Sequence, residues 1–98
     1  VPTADVIIDE VCKFYNIDPA TLRGQGRSKD ISLARQISMY LIRRMTNLSL
    51  KEIGREFDNR DHTTVLHSIE RIEDLSKNDP EKAEIIKDII ANINSRYE

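Results

Sequence analysis

The segment from Ser49 to His67 reads SLKEIGREFDNRDHTTVLH, and it contains the start signals of two helices. Ser49 is followed three residues later by Glu52, which is the pattern of a capping box at a helix start. Asp61 is a suitable N-cap for a second helix, and the polar residues before it supply a turn. A short helix joined in this way to a longer second helix predicts a helix-turn-helix over about residues 49–75.

Start and stop signals elsewhere predict four further helices. They begin at a Thr3 cap, at Asp18-Pro19, near Ser32 and at Asp79-Pro80. Residues 24–30 contain no apolar side chain and predict a flexible basic loop between the second and third helices. No segment shows the alternation typical of a strand. The sequence therefore predicts one all-α domain over residues 1–98, with about six helices and a helix-turn-helix of the Trp-repressor-like kind.

Apolar residues recur at helical spacing and predict the buried face of each longer helix. The expected core residues are Ile7, Val11, Phe14 and Tyr15; Ala34, Ile37, Leu41 and Met45; Val65, Ile69, Ile72 and Leu75; and Ile85, Ile86, Ile89, Ile90 and Ile93. Gly54 lies in the middle of a predicted helix, where glycine costs about 1 kcal/mol relative to alanine. A close approach between two helices is the expected reason for this glycine.

Charge is distributed unevenly along the 98 residues. The formal net charge is −2, with 33% charged and only 5% aromatic residues. Residues 23–67, however, contain nine Lys or Arg against five Asp or Glu, whereas the segments on either side are both acidic. A nucleic-acid footprint depends on local charge, so this pattern is compatible with DNA binding despite the acidic average.

Several classes of site are absent from the sequence. Cys12 is the only cysteine, which excludes an internal disulfide and a cysteine-based zinc site and is typical of a reducing, cytosolic setting. His62 and His67 are five residues apart, so they do not form a His-x-x-x-His metal pair. There is no nucleotide-binding phosphate loop and no apolar run long enough to span a membrane. We therefore expect no catalytic residue, metal or cofactor in this segment.

Polar side chains at the start of the second helix of the motif have the chemistry needed to contact bases. Threonine hydroxyl and methyl groups and a histidine ring suit base edges in the major groove, where this end of a recognition helix docks. Each residue alone is also compatible with an ordinary polar helix start or a solvated charge, and it is the clustering that favours DNA. The candidates are His62, Thr63 and Thr64, with Arg35 for a guanine, Arg43 and Lys51 for phosphates and Arg27 for the minor groove.

Together with the Arg27 loop and Ala34-Arg35-Gln36, the segment quoted above resembles the C-terminal DNA-binding domain of the DnaA family of bacterial replication initiators. The resemblance covers essentially the whole chain. It implies sequence-specific binding of double-stranded DNA at DnaA boxes in the replication origin. It also implies an ATP-binding AAA+ module before Val1, through which the full-length protein would self-associate. We further expect a cytoplasmic, nucleoid-associated location, a monomeric isolated domain and contact of the full-length protein with acidic phospholipids.

The resemblance also assigns roles to individual residues. It implies base contacts from Arg27, Arg35, Asp61, His62, Thr63, Thr64 and Leu66, and contacts to the DNA backbone from Gln36, Arg43, Lys51, Arg60 and Val65.

The chain departs from the family pattern in two places. Asp58-Asn59 stands where the family often has two glycines, although both residue types tolerate left-handed turn conformations. Gln25, Gly26 and Asp30 make the loop less basic than usual, which predicts a shallower salt dependence of binding.

Rival interpretations are a dimeric helix-turn-helix repressor, a helical protein-interaction module and, more distantly, a small hydrolase. A repressor of that kind requires a dimer interface. A protein-interaction module predicts no preference between a DnaA box and a scrambled duplex.

Overall fold

The computed structural model describes all residues from Val1 to Glu98 and contains six α-helices and no strand. The all-α prediction with six helices is confirmed. The helices are α1 (Ala4–Tyr15), α2 (Pro19–Arg23), α3 (Lys29–Met45), α4 (Leu50–Glu56), α5 (His62–Asn78) and α6 (Pro80–Ser95). None of them combines the length and the hydrophobicity that a membrane crossing requires.

Helix α3 begins three residues earlier than predicted. The Ser28 hydroxyl accepts a hydrogen bond from the Ile31 amide at 3.3 Å, so Ser28 is the N-cap and Lys29 is the first helical residue. The polar residues of this first turn face solvent, which is why apolar periodicity gave no sign of a helix there. The predicted loop over residues 24–30 is therefore wrong at its C-terminal end, and the connection extends only from Gly24 to Ser28.

The central helix of the fold is α3, which packs against α1, α2, α4 and α5. Helices α5 and α6 pack on each other, and α6 also contacts α1, so that one core of 19 buried hydrophobic residues is enclosed. Most of the predicted core residues lie in it, and five others are only partly buried and pack against it: Tyr15, Met45, Leu75, Ile85 and Ile90. Burial of Ile, Leu and Val side chains at about 25 cal/mol per Å² of apolar surface is the main stabilising contribution.

Phe14 is a correction to the predicted core, because 42% of it is exposed. The buried face of α1 consists of Ile7, Ile8, Val11 and Cys12. At 3.6 residues per turn, Phe14 lies roughly a quarter turn from the centre of this face. Its ring instead packs edge-on against Tyr15, with the ring centroids 5.2 Å apart.

The start of α4 and the start of α5 both have the predicted caps. The Ser49 hydroxyl accepts from the Glu52 amide at 3.1 Å, and the Glu52 carboxylate accepts from the Ser49 amide at 3.0 Å, which completes the capping box. The Asp61 carboxylate accepts from the Thr63 amide at 3.0 Å. Because each pair satisfies amides that have no partner inside the helix, the two helices of the motif begin at defined residues.

The turn between α4 and α5 approaches Gly54 more closely than any side chain would allow. A Cβ atom on Gly54 would lie 2.2 Å from the carbonyl oxygen of Arg60 and 3.6 Å from Cγ2 of Val65. The Gly54 carbonyl accepts the Arg60 amide at 2.9 Å, which holds the turn against the helix. The expected close approach at Gly54 is therefore present, and the nearest atoms belong to the turn.

The turn reverses direction through two residues in the left-handed region. The φ angles are 60° at Asp58 and 52° at Asn59. Asp and Asn are the non-glycine residues that adopt this conformation most readily, which is the tolerance expected from the sequence.

Candidate nucleic-acid interface

A polar cleft lies between the Gly24–Ser28 connection, the start of α3 and the start of α5. Its volume is about 210 Å³. We call it the arginine cleft, and define it by Gln25, Arg27, Arg35, Gln36, Arg60 and Thr64. Five of these six residues were predicted to contact DNA from the sequence. The tertiary structure brings them together from segments up to about 40 residues apart in the chain.

Arg35 is held in the wall of the arginine cleft with one edge of its guanidinium unused. The residue is only 5% exposed, and its Nε donates to the Leu22 carbonyl at 2.8 Å. Its Nη2 is buried and has no hydrogen-bond partner within the protein. Burial, and then the positive charge of Arg60, lower the pKa of Arg35. A buried donor without an acceptor is costly, so an anion entering the cleft would be stabilised there.

Arg60 ties the connection before α3 to the helix-turn-helix. Its Nη2 donates to the Gly24 carbonyl at 2.8 Å and to the Gln25 side-chain oxygen at 3.3 Å. Its Nε is buried and has no partner. Part of the Arg60 guanidinium is therefore committed to the fold, and Nε is a second unsatisfied donor near Arg35.

The first turns of α5 expose a row of polar side chains beside this cleft. His62, Thr63 and Thr64 are all exposed. Leu66, which follows the buried Val65, is 38% exposed. One oxygen of the Asp61 carboxylate caps the helix, and the other lies 3.8 Å from Nδ1 of His62. The N-terminal turns of α5 are therefore accessible to a large ligand.

Val65 is buried, contrary to its predicted role as a contact to the DNA backbone. Its side chain has no exposed surface and packs in the core, and its amide donates to the Asp61 carbonyl at 3.0 Å. The reason is helical geometry, because Val65 shares the inward face of α5 with Ile69 and Ile72. Neither its side chain nor its amide can contact the DNA backbone.

A second polar cavity, of about 220 Å³, is lined by residues of α4, of the turn and of the start of α5. Lys51, Arg55 and Arg60 contribute its cationic side chains, and Asp61 and His62 line it as well. Lys51 and Arg55 are four residues apart, so they lie on one face of α4. Arg55 was not among the predicted contacts, although its spacing from Lys51 was visible in the sequence.

Residues 4–72 match the family described as the bacterial dnaA protein helix-turn-helix, which is more than half of the chain. The chain belongs to the DnaA family.

Individual DnaA relatives are similar over most of this chain. The chromosomal replication initiator protein DnaA of a Synechococcus species is 52% identical over 75 residues, which is 76% of this chain and 16% of the relative. The protein of the same name from Caldanaerobacter subterraneus is 46% identical over 87 residues, which is 89% of this chain and 19% of the relative. The chain thus spans about one fifth or less of the length of these DnaA proteins.

The fold is also similar to a solved structure described as the crystal structure of a DNA replication initiation factor. The TM-score is 0.82 at 30% sequence identity, and the match covers 95% of this chain and 29% of that one. The helix-turn-helix expected from the resemblance to DnaA is therefore confirmed in both sequence and fold.

Two residues of α3 that the resemblance to the DnaA family assigns to the DNA backbone, Gln36 and Arg43, differ in their relation to the arginine cleft. Arg43 is exposed near the end of α3, where it donates to the Leu48 carbonyl at 3.1 Å. It lines neither cavity. Gln36 lines the cleft, and its side-chain oxygen accepts a hydrogen bond from Arg71 on α5. Arg71 lies four residues beyond His67 and joins α3 to α5 across the interface.

The remaining polar groups include the only cysteine, Cys12, and the acidic later turns of α5. No three His, Cys, Asp or Glu side chains are close enough to one another to hold a metal ion. Burial, and then the negative charge of Asp9, raise the pKa of the Cys12 thiol to about 11, so this thiol is protonated near neutral pH. The later turns of α5 expose Glu70, Glu73 and Asp74, which makes that end of the helix acidic.

Proposed function

We propose that this chain is a sequence-specific double-stranded DNA-binding module that recognises DnaA boxes at the replication origin. The observation that supports the proposal best is the position of the arginine cleft. It lies between the exposed first turns of α5 and the connection that contains Arg27, so a DNA duplex can contact both at once. Membership of the DnaA family is independent support.

In this proposal, the N-terminal turns of α5 enter the major groove. The second helix of a helix-turn-helix docks in this way, while the preceding helix crosses the backbone. The imidazole of His62 donates to purine acceptors, and the free oxygen of Asp61 accepts from a cytosine amino group. The Thr63 and Thr64 hydroxyls bond base edges. Thr63 methyl and the exposed part of Leu66 pack on thymine methyl groups.

Phosphates are bound on either side of this helix. Lys51 and Arg55 face one strand from α4, and the unsatisfied edges of Arg35 and Arg60 face the other from the arginine cleft. Gln36 and Arg43 are further backbone contacts on α3. Arginine and lysine contacts to phosphate determine register and orientation without reading sequence.

Arg27 is proposed to enter the minor groove next to the site read by α5. It is exposed in the short connection before α3 and has no hydrogen-bond partner within the protein. An arginine in such an arm favours the narrow, strongly negative minor groove of A·T-rich sequence.

The whole protein is proposed to resemble the DnaA relatives in its wider activity. It would initiate chromosomal replication in the cytoplasm, with ATP binding and self-association supplied by an AAA+ module outside this segment. The segment itself is proposed to be a monomer without catalytic activity or cofactor. Contact of the full-length protein with acidic phospholipids remains a separate proposal.

A titration of the 98-residue chain against two duplexes tests the DNA-binding proposal. One duplex contains a DnaA box, and the other has the same base composition in scrambled order. We expect the box to be preferred by about 10³-fold or more at physiological salt. Affinity for the scrambled duplex should fall steeply as salt is raised, because it depends on counterion release. Equal affinity for the two duplexes would favour the protein-interaction alternative.

Arg35→Ala is expected to weaken binding to every duplex by about 1–3 kcal/mol. Because Arg35 is 5% exposed and its Nε is bonded to Leu22, only its Nη groups remain for DNA, and we propose that they bind a phosphate oxygen. The measurement is the Kd for box duplexes with each G·C pair changed in turn, alongside a thermal melt. A loss confined to one guanine would restore the base-reading role inferred from the resemblance.

Lys51→Ala is expected to weaken box and scrambled duplexes equally. Lys51 is exposed on α4 with no partner within the protein, so its removal takes away one phosphate contact. The slope of log K against log salt should decrease by about one unit. Lys87→Ala on the exposed face of α6 is the matched control, and it should leave both slope and affinity unchanged. A change in base preference after Lys51→Ala would contradict the phosphate assignment.

A further inference from the structure

The connection between α2 and α3 is held at both of its ends. At its start, the Gly24 amide donates to the Thr21 carbonyl at 3.3 Å, and the Gly24 carbonyl accepts from Arg60 at 2.8 Å. At its end, Ser28 caps α3. Only three residues separate these two fixed points, and the last of the three is Arg27.

Gln25 fixes this short segment to the turn of the helix-turn-helix. Its side-chain Nε2 donates to the Asp58 carboxylate at 3.1 Å, and its side-chain oxygen accepts from Arg60 at 3.3 Å. Both ends of one amide are therefore bonded to the turn. We call Gln25, Asp58 and Arg60 the turn–loop clamp.

The Asp58 side chain, and not only its backbone conformation, is needed for the hydrogen bond to Gln25. Its φ of 60° is one that glycine adopts without strain. A glycine there would have no acceptor for Gln25. The Asp58 carboxylate also lies next to the proposed DNA face, where a negative charge opposes phosphate binding. Its hydrogen bond to Gln25 is the compensating interaction visible in the structure.

We infer that the turn–loop clamp positions Arg27 relative to the first turns of α5, so that contacts in the two grooves form together. The inference rests on the proposed DNA-binding function. Gln25 and Asp58 are positioning residues in it, since they act through Arg27. A segment that is already ordered loses less conformational entropy on binding, and this raises affinity without adding a contact.

Two substitutions at Asp58 separate the hydrogen bond from the charge. Asp58→Asn and Asp58→Gly both remove the negative charge, and both residues tolerate a left-handed φ. Only the asparagine keeps a side-chain oxygen that can accept from Gln25. The difference between the two variants therefore reports the clamp, while their common difference from the wild type reports the charge.

The test is a double-mutant cycle between Asp58 and Arg27, measured on the DnaA box. In the wild type and in Asp58→Asn, we expect Arg27→Ala to reduce affinity about tenfold or more, and to remove the preference for A·T pairs in the minor groove. In Asp58→Gly, the same substitution should reduce affinity by only about two- to threefold, since the segment is no longer held. Lys51→Ala serves as the control and should have the same effect in all three backgrounds.

The possible outcomes distinguish this inference from the function on which it rests. A wild-type protein that does not prefer the box over a scrambled duplex would overturn both. A wild-type protein that prefers the box, with an equal Arg27→Ala effect in Asp58→Asn and Asp58→Gly, would overturn the clamp alone. If Asp58→Gly does not fold, Gln25→Ala provides the same cycle, because Gln25 is exposed and Asp58 is then unchanged.

Discussion

Gly54→Ala is expected to reduce the free energy of unfolding by about 3 kcal/mol or more. The added Cβ would lie 2.2 Å from the Arg60 carbonyl oxygen, a distance at which the turn must move. Alanine would gain about 1 kcal/mol of helix propensity at this position, which is too little to offset the overlap. The effect is also expected to reach DNA binding, because Arg60 immediately precedes the Asp61 cap of α5. Chemical denaturation followed by circular dichroism measures the change in stability.

Gly26→Ala is the matched control for this prediction. A Cβ on Gly26 would meet its nearest atoms, on Ile31 and Arg35, at 3.6 to 3.9 Å, which is ordinary van der Waals contact. No glycine in the chain has a positive φ, so alanine needs no change of backbone at Gly26. Its free energy of unfolding should stay the same or rise by up to about 1 kcal/mol. Equal stability of the two variants would show that the turn yields freely at Gly54.

The double substitution His62→Ala and Thr63→Ala is expected to have the largest effect on DNA specificity. Each good contact to a base edge contributes about 1–3 kcal/mol of discrimination, so the preference for the box should fall by roughly 30-fold or more. Affinity for the scrambled duplex should change little, because the phosphate contacts remain. Stability should be unaffected, since both side chains are exposed and the cap uses the backbone amide of residue 63.

A control with the same number of changes is Asn92→Ala and Asn94→Ala on α6. Both asparagines are neutral and exposed, and they lie in the last turns of a helix that lines neither polar cavity. The control should bind box and scrambled duplexes as the wild type does. If the His62 and Thr63 substitutions lower affinity for both duplexes equally, these residues do not read bases.

Local interactions explain why the helix-turn-helix could be predicted closely from the sequence. The capping box of Ser49 and Glu52, and the Asp61 cap, join residues only two or three positions apart. Such pairs are visible as short patterns, and they determine where a helix begins. The start of α3 was predicted incorrectly because the residues after Ser28 are exposed and polar. Periodicity does not distinguish such a first turn from a loop.

The candidate interface was predicted less completely, because its shape depends on residues far apart in the chain. Arg35 was predicted to contact a guanine, but no sequence pattern indicated that its Nε is bonded to the Leu22 carbonyl, 13 residues away. Val65 was expected both in the core and at the DNA backbone, and only the folded chain shows that it is fully buried, as the core prediction required. Only the folded chain decides which edge of a side chain is used internally and which remains free.

The sequence by itself determined the helix-turn-helix, the six helices and the basic middle segment around them. These follow from caps, turns and apolar spacing, which act over at most a few residues. The tertiary structure alone decided that Arg35 and Arg60 line the same cleft and that each has an N–H donor without a hydrogen-bond partner. It also decided that Gln25 would bond to Asp58, 33 residues away. The physical reason is that hydrogen bonds between distant segments depend on helix packing, which no local pattern specifies.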